Sequence, residues 1–336
     1  MVTRLYCARR QDARLLVVPA QRRRLPRFSV IEATDLFSAA VIGGDTFDCV
    51  VIGGGPAGLT AAIHLRRHGR SVRLVDSGAS RAQRIARALN VAGYPDGVVG
   101  GHLLERMRQH LRAADGHVTY ASVEAIRRCL DGRLLLRLRH GTLLTRSIIL
   151  CTGATDPPIN LPGIEDVASA NLLRICSWQG VDDLFGKRVG VLGDSRLGVL
   201  GTADLRKVCA EARFIEIGCA AGKADYLSCH AGLERVPGVA RHVALTRDKA
   251  ILVTCDDGRA HEFDFLRAAF GAQPRTYLAN QLAVRFGVHG AIAIGPTGLT
   301  SAGNVYAAGD VAGVPCQIAV AIGQAAIAAA AVHDSL

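Results

Sequence analysis

The sequence predicts an α/β fold with two Rossmann-like dinucleotide-binding domains, and three observations carry that expectation. A strand–turn–helix pattern with three spaced glycines begins near residue 47, and a second strand–turn–helix begins at Lys187. Half of the 336 residues are hydrophobic, glycine is abundant (37 residues) and aromatics are few, as in proteins built from close strand–helix packing. The length is enough for two domains, each with a full core.

The first unit is the most informative. The apolar strand Cys49-Val-Val-Ile runs into Gly53-Gly-Gly55-Pro56-Ala57-Gly58, a Gly-x-Gly-x-x-Gly fingerprint, and an amphipathic helix follows from about Ala57 to His68. Gly53 permits the tight turn, Gly55 lets the backbone approach a pyrophosphate, and Gly58 allows close helix–strand packing. The helix N-terminus supplies unpaired N–H groups and partial positive charge for that anion. A second apolar strand, Val72-Arg-Leu-Val-Asp76, ends on an acid at the usual distance for a carboxylate that hydrogen-bonds a ribose hydroxyl. Glycine-rich turns alone are common. Strand, fingerprint, helix, strand and acid in the right order point specifically to a bound dinucleotide.

Near the C-terminus, Thr300-Ser-Ala-Gly-Asn-Val-Tyr-Ala-Ala-Gly309-Asp310 reads as a turn, a short buried strand and a Gly-Asp at the strand's carboxyl end. With the first fingerprint it resembles the FAD-binding pattern of two-dinucleotide flavoproteins. Ile148-Ile-Leu-Cys-Thr152-Gly153-Ala resembles the strand and Thr-Gly turn found at the flavin in that family, and Asn90-Val-Ala-Gly-Tyr-Pro-Asp-Gly resembles a flavin-side loop. Over roughly residues 46–336 the chain resembles the thioredoxin-reductase-like branch of the pyridine nucleotide-disulfide oxidoreductases. The resemblance implies FAD, a nicotinamide cofactor and a possible homodimer. It also implies that Asp310 bonds the ribityl or phosphate region, and that the apolar run Ile318–Val332, entered through Gln317 and Ile318, is a core helix lying against the flavin. That run is broken by Gln324 and is too short to span a bilayer.

Breakers set the expected layout. Pro157-Pro158 and Leu161-Pro-Gly163 mark a crossover, and the chain returns to the first domain near Gly271-Ala-Gln-Pro274. The expected domains are a discontinuous FAD-binding domain, residues 46–158 plus 272–336, and a smaller NAD(P)-binding-like domain, 160–270, inserted in it. Residues 1–45 form an Arg-rich extension. Within residues 1–28, eight arginines against Asp12 account for +7 of the net charge of +11, so the remaining chain is close to neutral. A disordered arm is expected there and nucleic-acid binding is not, although an anionic-surface or nucleic-acid arm, a transit peptide and translated upstream sequence also fit the composition. Ten cysteines lie scattered without a disulfide-like pattern, and no signal peptide is apparent, so a reducing cytoplasm is the expected compartment. His64, His68, His110 and His230 lack metal-ligand spacing, and no metal is expected.

In the resembled family a Cys-x-x-Cys opens the inserted domain, one thiol attacking substrate while the other faces the flavin. Here that stretch reads Cys176-Ser-Trp178-Gln179-Gly180-Val-Asp182-Asp183. The first cysteine is kept, the second is Gln179, and the acid that normally follows is Gly180, with Asp182 or Asp183 as its potential replacement. No Cys-x-x-Cys exists elsewhere in the chain. Cys176 is therefore either a remnant packed as a small apolar residue or a thiol needing a remote partner such as Cys316. Trp178 either covers the flavin face or packs in the core. The second fingerprint, Gly193-Asp194-Ser195-Arg-Leu-Gly198, keeps its outer glycines. Ser195 obstructs backbone approach to a pyrophosphate, and Asp194 adds negative charge beside it. Glu216 stands as far beyond Gly193 as Asp76 does beyond Gly53, and a carboxylate there disfavours a 2′-phosphate, so NADH is expected over NADPH, both bound weakly.

Three functional readings follow. The first is a flavin oxidoreductase delivering electrons to an acceptor other than a thioredoxin-type disulfide. The second is a disulfide reductase pairing Cys176 with a remote cysteine, and the third is a non-enzymatic FAD-binding scaffold or redox sensor. Loss of the dithiol and decay of the second fingerprint suggest the third, and the sequence ranks the first ahead of the third and both ahead of the second.

Overall fold

A computed structural model describes residues 46–175, 182–193, 196–218, 233–313 and 315–336, all within one compact unit of the chain. The Arg-rich extension, Cys176, Trp178, Gln179, Asp194 and Ser195 lie outside the described residues.

Strand β1 (Phe47–Ile52) is a β-branched run whose last four residues are buried, as a strand covered on both faces requires. It pairs in parallel with β2 (Val72–Asp76), and β2 pairs in parallel with β3 (Val118–Tyr120). On its other side β1 pairs in parallel with the long β6 (Gly141–Leu150). The far edge of β6 is shared. Its first half closes an antiparallel meander with β4 (Val123–Arg128) and β5 (Leu134–Leu138), and its last residues pair in parallel with β16 (Val305–Ala307). The parallel order is thus β3-β2-β1-β6-β16, reversing direction of growth at β1. Ligands of such sheets bind at the carboxyl ends of the strands, beside the reversal point.

The second sheet repeats this plan. Strand β9 (Arg188–Gly193) pairs in parallel with β10 (Glu211–Glu216) on one side and β14 (Phe265–Ala268) on the other. Beyond β14 lies β8 (Leu173–Arg174), and beyond β10 lies β11 (Arg235–Leu245), which closes a meander with β12 (Ile251–Cys255) and β13 (Ala260–Phe263). The duplication is faint in side chains because only the turn glycines and the apolar character of each strand are shared. Short β7 (Ala154–Thr155) and β15 (Gln273–Pro274) pair antiparallel where the chain leaves and rejoins the first sheet.

Helix α1 (Pro56–Arg67) starts with proline at its first turn, where a missing N–H costs nothing, and ends on His64, Arg66 and Arg67, which complement its C-terminal dipole. It is buried through Leu59, Ala61, Ala62 and Leu65, each leucine worth about 1.5–3 kcal/mol of apolar burial. Helix α2 (Gly100–Ala113) packs against it. Helices α3 (Ile164–Ser169), α4 (Arg196–Leu205) and α5 (Tyr277–Asn280) follow in the chain, and α6 (Ile318–Asp334) closes it. The Ile318–Val332 run, expected to be a core helix, is buried along one face through Ala321, Ala325, Ala328, Ala329 and Val332, while Ile327 is exposed. Small residues on α1 and α6 let the two helices pack closely in one core, which brings the start of α6 to the fingerprint turn. No helix among the described residues is long and apolar enough to cross a membrane.

Candidate functional site: one cleft at the carboxyl ends of the first sheet

The four fingerprint glycines are required for different reasons. Gly53 has φ of +108°, a conformation side chains rarely adopt, and a Cβ there would overlap the Cys151 carbonyl. A Cβ on Gly58 would overlap the Gly53 carbonyl, so Gly58 sets the helix-to-turn approach. A Cβ on Gly54 would overlap the Asp76 carboxylate. Gly55 differs from the other three. Among the described residues, its missing Cβ would have a single neighbour within 4 Å, Ser80 Oγ at 3.2 Å.

Asp76 ends β2 against this turn and is 3% exposed. Its Oδ2 is buried with no hydrogen-bond partner among the described residues. An orphaned carboxylate oxygen is costly, and a ligand hydroxyl arriving from the adjoining cleft would satisfy it. The cleft has a volume of about 990 Å³. Its walls include Gly53, Gly55, Pro56, Ala57, Asp76, Asn90, Thr152, Gly153, Gly309, Asp310, Gln317 and Ile318, so twelve residues singled out from separate sequence segments meet in one space. Gly58 lies behind the turn rather than in the wall.

The rear wall is held by hydrogen bonds across the sheet ends. Thr152 Oγ1 donates to the Arg275 carbonyl at 2.7 Å, and the Arg275 N–H donates to the Gly153 carbonyl at 2.9 Å, tying the β6 turn to the returning chain. Gly309, with φ of +81°, turns the chain after β16, and its N–H donates to Gln324 Oε1 of α6 at 2.8 Å. The polar residue that interrupts the apolar C-terminal run therefore anchors the Gly-Asp turn.

The sequence offered no sign of the charged cluster beside that turn. Arg81 Nε donates to both Asp156 oxygens, at 2.9 and 3.0 Å, and its Nη1 reaches Asp310 Oδ2 at 3.1 Å. Arg84 adds a bond to Asp156 at 2.9 Å. Burial acts to lower the Arg81 pKa, but hydrogen bonding and charge from Asp156, with the charge of Asp310, outweigh it and hold the guanidinium firmly cationic. Burial pushes the Asp310 carboxyl above its ordinary value and Asp156 adds to this, while Arg81 and a hydrogen bond from Cys316 pull it back. The partners of Arg81 lie 75 and 229 residues away, beyond the reach of any local pattern.

Toward the second sheet the cleft is lined by Arg174, Ile175, Asp183, Lys187 and Phe265. Asp183, a potential replacement for the family's acid, is ion-paired to Arg174 at 2.9 Å, and Arg174 in turn lies over the Phe265 ring. Ile175, the last described residue before Cys176, is exposed at the cleft. Among the described cysteines, Cys316, which hydrogen-bonds Asp310, and Cys151 line the cleft; burial pushes the Cys151 thiol well above the usual range and likewise pushes Cys49 up to about 12. Neither is an activated thiol.

The second fingerprint stands apart, with Gly193, Gly198 and Glu216 absent from the walls of this cleft. Gly193 and Gly198 pack on the Phe214 ring, where a Cβ on Gly198 would stand 2.5 Å from it, so close helix–strand packing already requires both glycines. Glu216 pairs with Gly193 in the β10–β9 register, and Asp76 directly follows the Val75–Ile52 pair that precedes Gly53. The two acids therefore hold equivalent places in the two sheets.

Comparison with known proteins agrees with this architecture. Residues 47–325 match the family described as pyridine nucleotide-disulphide oxidoreductase. The chain is 26% identical over 321 residues to a subunit of the alkyl hydroperoxide reductase of Xanthomonas campestris pv. phaseoli, covering 89% of this chain and 59% of that protein. It therefore spans under two thirds of the length of that relative. The crystal structure of an oxidoreductase from Agrobacterium tumefaciens is similar with a TM-score of 0.74 at 25% identity, covering 87% of this chain and 98% of that one. That of thioredoxin reductase from Streptococcus pyogenes MGAS5005 shares the fold, with a TM-score of 0.75 at 22% identity over 86% of this chain and 97% of the other. With both sheets, the order of their strands and the match over 47–325 in agreement, the chain belongs to the pyridine nucleotide-disulphide oxidoreductase family.

Proposed function

We propose that this chain is an FAD-dependent oxidoreductase that takes hydride from NADH in preference to NADPH and passes electrons to an acceptor other than a thioredoxin-type disulfide. The observation that carries the cofactor assignment is the buried, unpartnered Asp76 oxygen beside a cleft whose walls include the Gly53–Gly55 turn. FAD held there would supply hydride acceptance from a reduced nicotinamide and onward electron delivery. The chain's own residues supply the rest. The Gly53–Gly55 turn and the α1 N-terminus receive a pyrophosphate, and Asp76 accepts from a ribose hydroxyl. Thr152, Gly153, Asn90, Gly309, Asp310, Gln317 and Ile318 line the rest of the cofactor's space.

Three features of the sequence support the choice of donor and acceptor. Glu216 holds the place in the second sheet that Asp76 holds in the first, and its charge would repel a 2′-phosphate. Asp194 and Ser195 in the second fingerprint make even NADH binding weak. Gln179 stands where the second sulfur belongs, so no dithiol relay links a flavin to a protein disulfide. Quinones, ferredoxin-like proteins, dioxygen and small dithiols are the candidate acceptors, in a reducing cytoplasm.

The test is turnover of the FAD-loaded protein with each nicotinamide, using thioredoxin plus insulin in one arm and a quinone or ferricyanide in the other. The expected result is NADH-driven reduction of the small acceptor, little or no insulin reduction, and little change on Cys176→Ser. Robust NADPH-dependent thioredoxin reduction that is lost in Cys176→Ser would instead mean that a remote cysteine completes a redox pair.

A further inference from the structure

Asp156 and Asp310 meet at Arg81, beside the turn that the proposed cofactor would occupy. Ser80, the residue before Arg81, is the neighbour that the missing Gly55 Cβ would meet, so Arg81 follows directly from the wall of the pyrophosphate cradle. Its guanidinium is largely buried, with 19% of the side chain exposed, and so is Asp156, at 12%. Arg84 is the other cation on Asp156, but 60% of its side chain is exposed, so solvent screens it. Without Arg81 this end of the cleft would present two partly buried carboxylates to an incoming dianion. Like charges at such range in a poorly solvated site repel strongly, and the partial charge of one helix N-terminus would not offset them. The pair is also shaped for more than a local ion pair. Arg81 spans from the first interdomain crossover, through Asp156, to the Gly309-Asp310 turn.

We propose that Arg81 is the cationic cofactor-binding residue of this cleft, supplying the charge that lets a dinucleotide's pyrophosphate enter beside the carboxylates of Asp156 and Asp310. The role rests on the FAD assignment above. A guanidinium suits it because one fork can hold a carboxylate through two bonds while keeping further N–H donors for a phosphate. Arg81 would thus make three anionic groups compatible in one space.

The experiment measures FAD affinity of apoprotein by flavin fluorescence and equilibrium dialysis for wild type, Arg81→Gln, Arg81→Lys, Asp156→Asn and the Arg81→Gln/Asp156→Asn pair. Circular dichroism and thermal melts of each apoprotein separate loss of binding from loss of fold. Arg81→Gln is expected to weaken FAD at least tenfold, and Arg81→Lys to recover part of that. Removing the Asp156 charge in the Arg81→Gln background should restore most of the affinity, and Asp156→Asn alone should bind FAD no worse than wild type. If Arg81 served only as a latch on the crossover, Asp156→Asn would weaken binding as much as Arg81→Gln and the double variant would not recover; that pattern overturns the inference. Undiminished FAD affinity in a folded Arg81→Gln protein also overturns it, while leaving the FAD assignment standing. Wild-type apoprotein that takes up no FAD would remove both. Should Arg81→Gln not fold, folded Arg81→Lys with partly weakened FAD binding that added Asp156→Asn restores would support the charge role, whereas undiminished binding in Arg81→Lys or tenfold loss in Asp156→Asn alone would contradict it.

Discussion

A single missing Cβ does different work at each fingerprint position, and substitutions should separate these roles. Gly55→Val adds bulk where only Ser80 stands nearby among the described residues, so the apoprotein is expected to melt near the wild-type temperature while FAD content falls to background. Gly58→Ala collides with the Gly53 carbonyl and should cost the fold about 1–3 kcal/mol, the range for overpacking, visible as a lower melting temperature of apoprotein. Calorimetry with FAD titration reads both. Asp76→Ala should invert the usual sign. Removing a buried acceptor that has no partner is expected to raise apoprotein stability by about 1–3 kcal/mol, while FAD affinity falls by roughly 10–100-fold with the lost hydrogen bond to a charged group. At this scale the turn glycines, Asp76, Thr152-Gly153 and Gly309-Asp310 were legible, because each sits within a few residues of the strand end that presents it. Gly54 and Arg81 were not legible, since what constrains them is a carboxylate that only the folded sheet brings near.

Among the elements, α6 has the most to do. The family resemblance implied a core helix here, and its one-faced burial comes from the close fit of Ala321, Ala325 and Ala328 into the core shared with α1, which hydropathy alone does not reveal. Gln324 is the residue through which this helix holds the Gly309 turn. Replacing it with Leu would leave the Gly309 N–H without its acceptor, and FAD is expected to bind about tenfold more weakly, the equivalent of roughly 1.4 kcal/mol. Equilibrium dialysis checks this, and Gln324→Glu, which keeps the acceptor, should recover much of the loss. The strand–turn–helix units at β1 and β9 were readable because glycine and apolar runs mark them directly. The two antiparallel meanders, β4-β5-β6 and β11-β12-β13, are marked by Asp131-Gly132 and Asp257-Gly258 in two of their hairpins, but half of their pairing depends on partners fixed by the parallel strands.

Taken whole, the molecule gathers its first-sheet residues into one cleft and leaves Gly193, Gly198 and Glu216 outside the walls of that cleft. Phe214 explains why Gly193 and Gly198 persist without requiring a nucleotide, so those glycines by themselves say little about a nicotinamide. Glu216, in register with Gly193, is the stronger pointer. On the proposed reading, flavin in the first cleft is reduced from a nicotinamide in this chain although the Cys-x-x-Cys is gone. Anaerobic rapid mixing of the FAD-loaded protein with NADH and, separately, NADPH tests it most directly through the loss of oxidised-flavin absorbance. NADH is expected to bleach the flavin, at a rate that rises with concentration without early saturation because binding is weak, and NADPH to do so more slowly. Flavin that stays oxidised with both nicotinamides would contradict the oxidoreductase reading and leave an FAD-binding scaffold or sensor in its place.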